Sequence, residues 1–106
     1  MQRLTGLFTP PRSDELAEFT QHLVVPDLSV GTYSIPARGV DDQTPHTEDE
    51  IYVVTQGRAR FVTPDDDVPV EPGDVLYVPA GEEHRFVDIT EDLSMLVVFA
   101  PAYGGS

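Results

Sequence analysis

Gly73-Asp-Val-Leu-Tyr-Val-Pro79-Ala-Gly81-Glu-Glu-His84-Arg-Phe-Val-Asp88 is the stretch that decides how the rest of the chain is read. Two short apolar runs, 75–78 and 85–87, are separated by proline, glycine and two glutamates. That pattern predicts a strand, a tight turn over 79–83, and a second strand that opens on an imidazole. A histidine held at the start of a strand by a rigid turn is placed to aim a ring nitrogen into the interior of a β-barrel.

Upstream, Thr44-Pro-His46-Thr-Glu-Asp-Glu50-Ile-Tyr-Val-Val-Thr-Gln-Gly57 separates His46 from Glu50 by three residues and Glu50 from Gly57 by six. In order and spacing the two stretches resemble the paired motifs of the cupin family. The upstream one matches the first motif from its second histidine onward. The downstream one matches the second motif, with Asp88 where that family usually has asparagine. Thr44 stands where the family's first histidine would be, and Gly39 sits one residue closer to that position than the usual pattern has it. The two motifs together span residues 39–88, about half the chain. The resemblance implies an all-β fold, a small jelly-roll-like barrel, and one divalent transition metal held by His46, Glu50 and His84. In most metal-binding relatives the first histidine is a fourth ligand, so Thr44 implies weaker binding and an extra position for water or substrate.

The remainder of the chain fits short strands. Residues 28–35 are rich in β-formers, and 40–44 continue toward His46 after the turn at 36–39. Residues 51–55 and 58–63 follow on either side of Gln56-Gly57, with Ala59 and Phe61 alternating against Arg58 and Arg60. Strands over 68–71, 75–78, 84–89 and 93–99 complete the set, the last apolar enough to be buried on both faces. Asp65, Asp66 and Asp67 read as a solvated hairpin turn, because the glycine and distal glutamate of a calcium loop are missing. One helix is predicted near the start. Ser13 caps it, Asp14 and Glu15 suit its positive end, Leu16, Phe19 and Leu23 recur at helical spacing, and Pro26 stops it. His22 then falls in the last helical turn, in a surface or capping role. The expected organisation is an N-terminal segment with this short helix (1–27), the barrel (28–100) and a loose tail (101–106).

With 106 residues the chain makes one domain with one core. It has no cysteine, which excludes disulfides, thiolate nucleophiles and sulfur-ligated metals, and leaves three histidines and the carboxylates as strong ligands. Formal charge is −13, from 19 acids against six bases, all of them arginine. Such a surface repels phosphate backbones and anionic lipid, so neither nucleic acid nor membrane is expected as a partner. The acidity suits solubility and, more sharply, a salt-adapted or high-GC microbial source. No 18-residue apolar span and no signal-peptide core are present, which sets a cytoplasmic expectation.

For His46 and Glu50 to share an ion the chain must turn between them. In one straight strand they lie roughly 13 Å apart, too far to meet, and Pro45 beside the β-rich 51–54 run disfavours a helix. The polar Thr47-Glu-Asp49 supplies the turn, with Glu48 as the reserve ligand. Two imidazoles and a carboxylate suit iron, and with a bound water also zinc or manganese. Counting by twos from Glu50 places Tyr52 and Val54 inside, and from His84 places Phe86 inside. Tyr52 is therefore the best candidate for a catalytic proton donor or a substrate hydrogen bond, ahead of Tyr33 and Tyr77. Arg60 alternates with Phe61 and should face out. A purely structural reading stays open: His46 capping a turn, Glu50 paired with Arg60 or Arg85, and His84 satisfied within the barrel. Two function classes follow. One is a small metalloenzyme of oxygenase, isomerase or lyase type acting on a small organic substrate. The other is a non-catalytic ligand-binding or sensor barrel with a degenerate site. A homodimer is expected from exposed sheet edges.

Overall fold

The structure, a computed structural model, describes residues 1–9 and 16–104. Six strands form one antiparallel sheet: β1 (Glu18–Val25), β2 (Leu28–Ile35), β3 (Asp49–Val62), β4 (Asp67–Val70), β5 (Val75–Val78) and β6 (Arg85–Ala100). Their order is β1-β2-β6-β3-β4, and β5 also pairs with β3. The two long strands form the spine. β3 carries β5 along its first half and β4 along its second, and β6 runs the length of its other edge.

Long strands curl when their ladders slip, and β3 against β6 shows three consecutive register shifts between Val54 and Arg60. Gly57 sits at the centre of these shifts with φ of +92°, and a Cβ there would meet the Asp92 carbonyl oxygen at 2.3 Å. Only glycine lets the two backbones pass so closely. This bend is why the predicted strands 51–55 and 58–63 are one strand with a kink, and why 84–89 and 93–99 likewise merge. On β6 the inward parity changes between Phe86 and Ile89, with Asp88 at φ +50° between them. Aspartate and asparagine tolerate that left-handed conformation better than most side chains, which accounts physically for the aspartate at this motif position.

The curled sheet buries one face. Ile35 of β2, Tyr52, Val54, Ala59 and Phe61 of β3, and Phe86, Leu93, Met95, Val97 and Phe99 of β6 form the core with Val70 and Val78. Tyr52, Val54 and Phe86 point inward as the alternation requires. In the last strand the alternate residues Leu96 and Val98 are only partly covered, so it is buried on one face rather than both.

Three further expectations need correction. No helix occurs among the described residues. Ser13, Asp14 and Glu15 lie outside them, and from Glu18 the chain is a strand paired with β2 from Glu18↔Ser34 to Val25↔Leu28. The helical spacing of Leu16, Phe19 and Leu23 lost to a hairpin: Val24 and Val25 are β-formers, and Pro26-Asp27 is a two-residue connection to β2. His22 accordingly caps nothing; its Nε2 lies 2.9 Å from Thr32 Oγ1 across the ladder. The tail is also not loose through residue 104. Ala102 is buried, the Tyr103 amide donates to Ser29 Oγ at 2.8 Å, and the Gly104 amide donates to Glu48 Oε2 at 3.2 Å. Residues 40–44 form no strand; Val40 makes a single bridge to Leu16.

Candidate metal centre

Two turns bring the distant motifs together. The chain bends at Thr47 and Glu48, so His46 precedes the bend and Glu50 follows it, one residue into β3. The turn at 79–82 closes through the Glu82 amide on the Pro79 carbonyl. It is fastened to the first bend twice: the Gly81 amide donates to the His46 carbonyl at 2.7 Å, and the Ala80 amide to Asp49 Oδ1 at 2.9 Å. His84 then enters the interior immediately before β6.

His46, Glu50 and His84 each offer a donor atom within 4.8 Å of the other two. Glu50 and His84 are buried, and His84 Nε2 lies 3.0 Å from Glu50 Oε1. The other ring nitrogen, Nδ1, is 2.8 Å from the Glu82 carbonyl oxygen, which can only accept. In the neutral ring the proton therefore sits on Nδ1, and Nε2 turns a lone pair toward the carboxylate. Glu50 Oε1 is left without a hydrogen-bond donor. Two electron-pair donors facing each other in a buried site call for a proton or a cation. Burial opposes protonation of His84, but the contacts to Glu50 and the Glu82 carbonyl, with the charges of Glu50 and Asp41, outweigh it and raise the ring above its ordinary pKa. The separation also fits metal ligation. Two donors about 2.1 Å from one ion stand about 3.0 Å apart at a right angle and about 3.4 Å apart in a tetrahedron.

His46 is held at the rim by aromatic rings, with Phe99 edge-on at 5.1 Å and Tyr103 at 5.4 Å between centroids. Tyr52 lies deeper. Its hydroxyl is 3.1 Å from His84 Nε2 and donates to Gln43 Oε1 at 3.0 Å. Burial first, and then the negative charge of Glu50, push this phenol far above its usual pKa. Tyr33, half-buried, donates to Asp41 Oδ1 at 2.7 Å, and burial followed by the Asp41 charge raises it in the same way. Tyr77 is exposed on the outer face, away from the site. Arg60 faces out and pairs with Asp67 at 2.7 Å, so it makes no pair with Glu50, and Arg85 is exposed. Glu48 is buried but turned toward the tail, where Oε1 has no partner.

Two site residues escaped the sequence reading. Asp41 is 4% exposed and accepts from Tyr33, from the Gln43 side chain at 2.7 Å and from the Phe86 amide at 2.8 Å. Gln43, on the same loop, faces the cluster while Thr44 is exposed. A signal was present, since Asp41 and Gln43 alternate with Asp42 and Thr44 on the approach to His46, but motif spacing drew attention to position 44.

A cavity of about 200 Å³ opens beside the cluster. Gln43, His46, Glu50 and Tyr52 form its polar end, and Phe19, Tyr33, Phe99 and Tyr103 its aromatic walls. No arginine among the described residues lines it.

A single curled antiparallel sheet thus carries inside it a His-His-Glu cluster that could hold a metal ion. The cupin domain pattern matches residues 31–99, and the chain belongs to the cupin family. It is 45% identical over 83 residues to an uncharacterized protein of Streptomyces coelicolor, covering 78% of this chain and 79% of that one. It is 37% identical over 59 residues to the acireductone dioxygenase of Geobacillus thermodenitrificans, covering 50% of this chain and 32% of the dioxygenase. Among solved structures, the DMSP lyase of Ruegeria pomeroyi superposes with a TM-score of 0.66 at 24% identity, over 72% of this chain and 39% of the lyase. The chain thus spans well under half the length of either enzyme.

Proposed function

We propose that this protein is a metal-dependent enzyme of the proton-transferring kind, a lyase or isomerase, acting on a small organic substrate bound in the cavity beside the cluster. The observation that carries the reading is the buried Nε2-to-carboxylate contact of His84 and Glu50 beside a protonated phenol. His46, Glu50 and His84 would hold one divalent transition metal, with iron, zinc and manganese the best match to the donor set. Such an ion supplies positive charge that polarises a substrate oxygen. Tyr52 keeps a proton at its hydroxyl within reach of the same space, positioned to act as general acid. Phe19, Phe99 and Tyr103 exclude water and pack against apolar parts of the substrate. At about 200 Å³ the cavity is below the ~300 Å³ lower end of drug-sized pockets, which limits the substrate to a small molecule.

A dioxygenase reading has separate support in the partial likeness to the acireductone dioxygenase. Elemental analysis of protein purified without chelator or nickel resin, repeated on His46→Ala and His84→Ala, tests the metal. Stoichiometric metal in the wild type, lost in both variants, is the expected result. Metal-free wild type of full stability would point instead to a non-catalytic ligand-binding barrel. Oxygen uptake by the iron-loaded protein with substrate would replace the lyase reading by the oxygenase one. We expect this chemistry in a homodimer of the 11.7 kDa chain, formed through an edge of the sheet such as β4; sedimentation decides that point.

A further inference from the structure

We propose that Gln43 supplies the fourth protein donor of the metal centre, its side-chain oxygen taking the place left by the histidine that Thr44 replaces. This rests on the metal reading above and adds a ligand to it.

Four observations lead there. Thr44 is exposed, so position 44 does not face the cluster at all. Gln43 does, one residue earlier, with its Oε1 at 3.3 Å from His46 Nε2. That separation lies between the about 3.0 and about 3.4 Å expected of neighbouring donors on one ion. The orientation of the amide is set by chemistry: its nitrogen end lies 2.7 Å from Asp41 Oδ2, a carboxylate oxygen that accepts and cannot donate. The oxygen end must therefore point into the site. There it receives the Tyr52 hydroxyl at 3.0 Å on one lone pair, which leaves the second lone pair of the same oxygen for the side on which His46 Nε2 lies 3.3 Å away.

Asp41 is the positioning residue. It is fixed in turn by the Phe86 amide on β6 and the Tyr33 hydroxyl on β2, so the amide is aimed by two strands of the sheet. Exchange of an imidazole for an amide is neutral for neutral and leaves Glu50 as the charge of the donor set. It also replaces a nitrogen by a hard oxygen, which shifts preference toward manganese and iron(II) and away from zinc.

The test uses cobalt(II), manganese(II) and zinc(II) on the wild type, Gln43→Ala and Gln43→His, with chelator competition and the visible cobalt spectrum as readouts. Gln43→Ala should bind cobalt at least 10-fold more weakly and change the cobalt spectrum. Gln43→His should move the manganese-to-zinc affinity ratio at least 10-fold toward zinc, a change that a structural role for Gln43 would not produce. If Gln43→Ala fails to fold, Gln43→Asn, too short to reach both Asp41 and the site, carries the same expectation as Gln43→Ala. Wild-type affinity, ratio and spectrum in the folded variants would overturn the proposal alone. A wild type that takes up none of the three metals would overturn it together with the metal reading.

Discussion

Tyr52 and His84 sit side by side but respond to opposite demands. The phenol's raised pKa means that it keeps its proton across the neutral range. Tyr52→Phe removes the hydroxyl and keeps the ring that packs on Phe61 and Phe86. It should leave fold and metal content intact and lower turnover by about 10²- to 10⁴-fold, the usual worth of a general acid. Steady-state kinetics beside metal analysis checks both halves. For His84 the sign runs with acid. In the metal-free protein its pKa is raised, so below that value a proton occupies Nε2 and must leave before a metal binds. Apparent affinity should be flat at alkaline pH and fall about tenfold per unit once the pH drops below that raised value; chelator competition across pH measures it. His46, Glu50 and His84 were legible because ligand spacing is written along the chain. Asp41 and Gln43 were missed, because their role arises from hydrogen bonds to Tyr33, Tyr52 and Phe86 that no ligand spacing encodes.

At the level of strands, the hairpin of β1 and β2 shows where periodicity misleads. Leu16, Phe19 and Leu23 satisfy a helical repeat, yet the partner that decides the outcome is β2, whose Gly31 leaves room for the Phe19 ring. A Cβ on Gly31 would lie 2.7 Å from that ring and from the Thr20 carbonyl, so the flat contact exists only because a side chain is missing. The strands from 49 to 100 were read more faithfully, because turn residues mark most of their ends. What the turn signals could not convey was that Gln56-Gly57 is a bend within β3 rather than the end of a strand. Gly57→Ala tests how much the bend matters. The added methyl meets a backbone carbonyl and demands a conformation strained for alanine. A loss of about 3 kcal/mol is expected, read as a lower urea midpoint with unchanged slope.

Across the molecule, charge and chain ends shape behaviour that no single contact explains. A net charge of −13 on 106 residues makes the folded chain repel itself. Its arginine pairs, Arg58 with Glu71 and Glu91 and Arg60 with Asp67, are solvent-exposed and contribute little. Screening should therefore help more than it harms: melting temperature should rise between 0.05 and 0.5 M sodium chloride, as circular dichroism would record, since the screening length at the higher salt is only about 4 Å. The composition made the repulsion visible, whereas the docking of the tail was hidden, because Tyr103 and Gly104 are held by Ser29 and Glu48, which are distant in sequence. That docking has a practical consequence. The chain has four tyrosines and no tryptophan, and Tyr33, Tyr52 and Tyr103 all border the cavity. Ultraviolet emission from the unlabelled protein is thus mostly reported from the chamber itself: an open-shell ion such as cobalt(II) entering it should dim the glow, a closed-shell one such as zinc(II) should not, and a titration of that light would count occupied molecules without any dye.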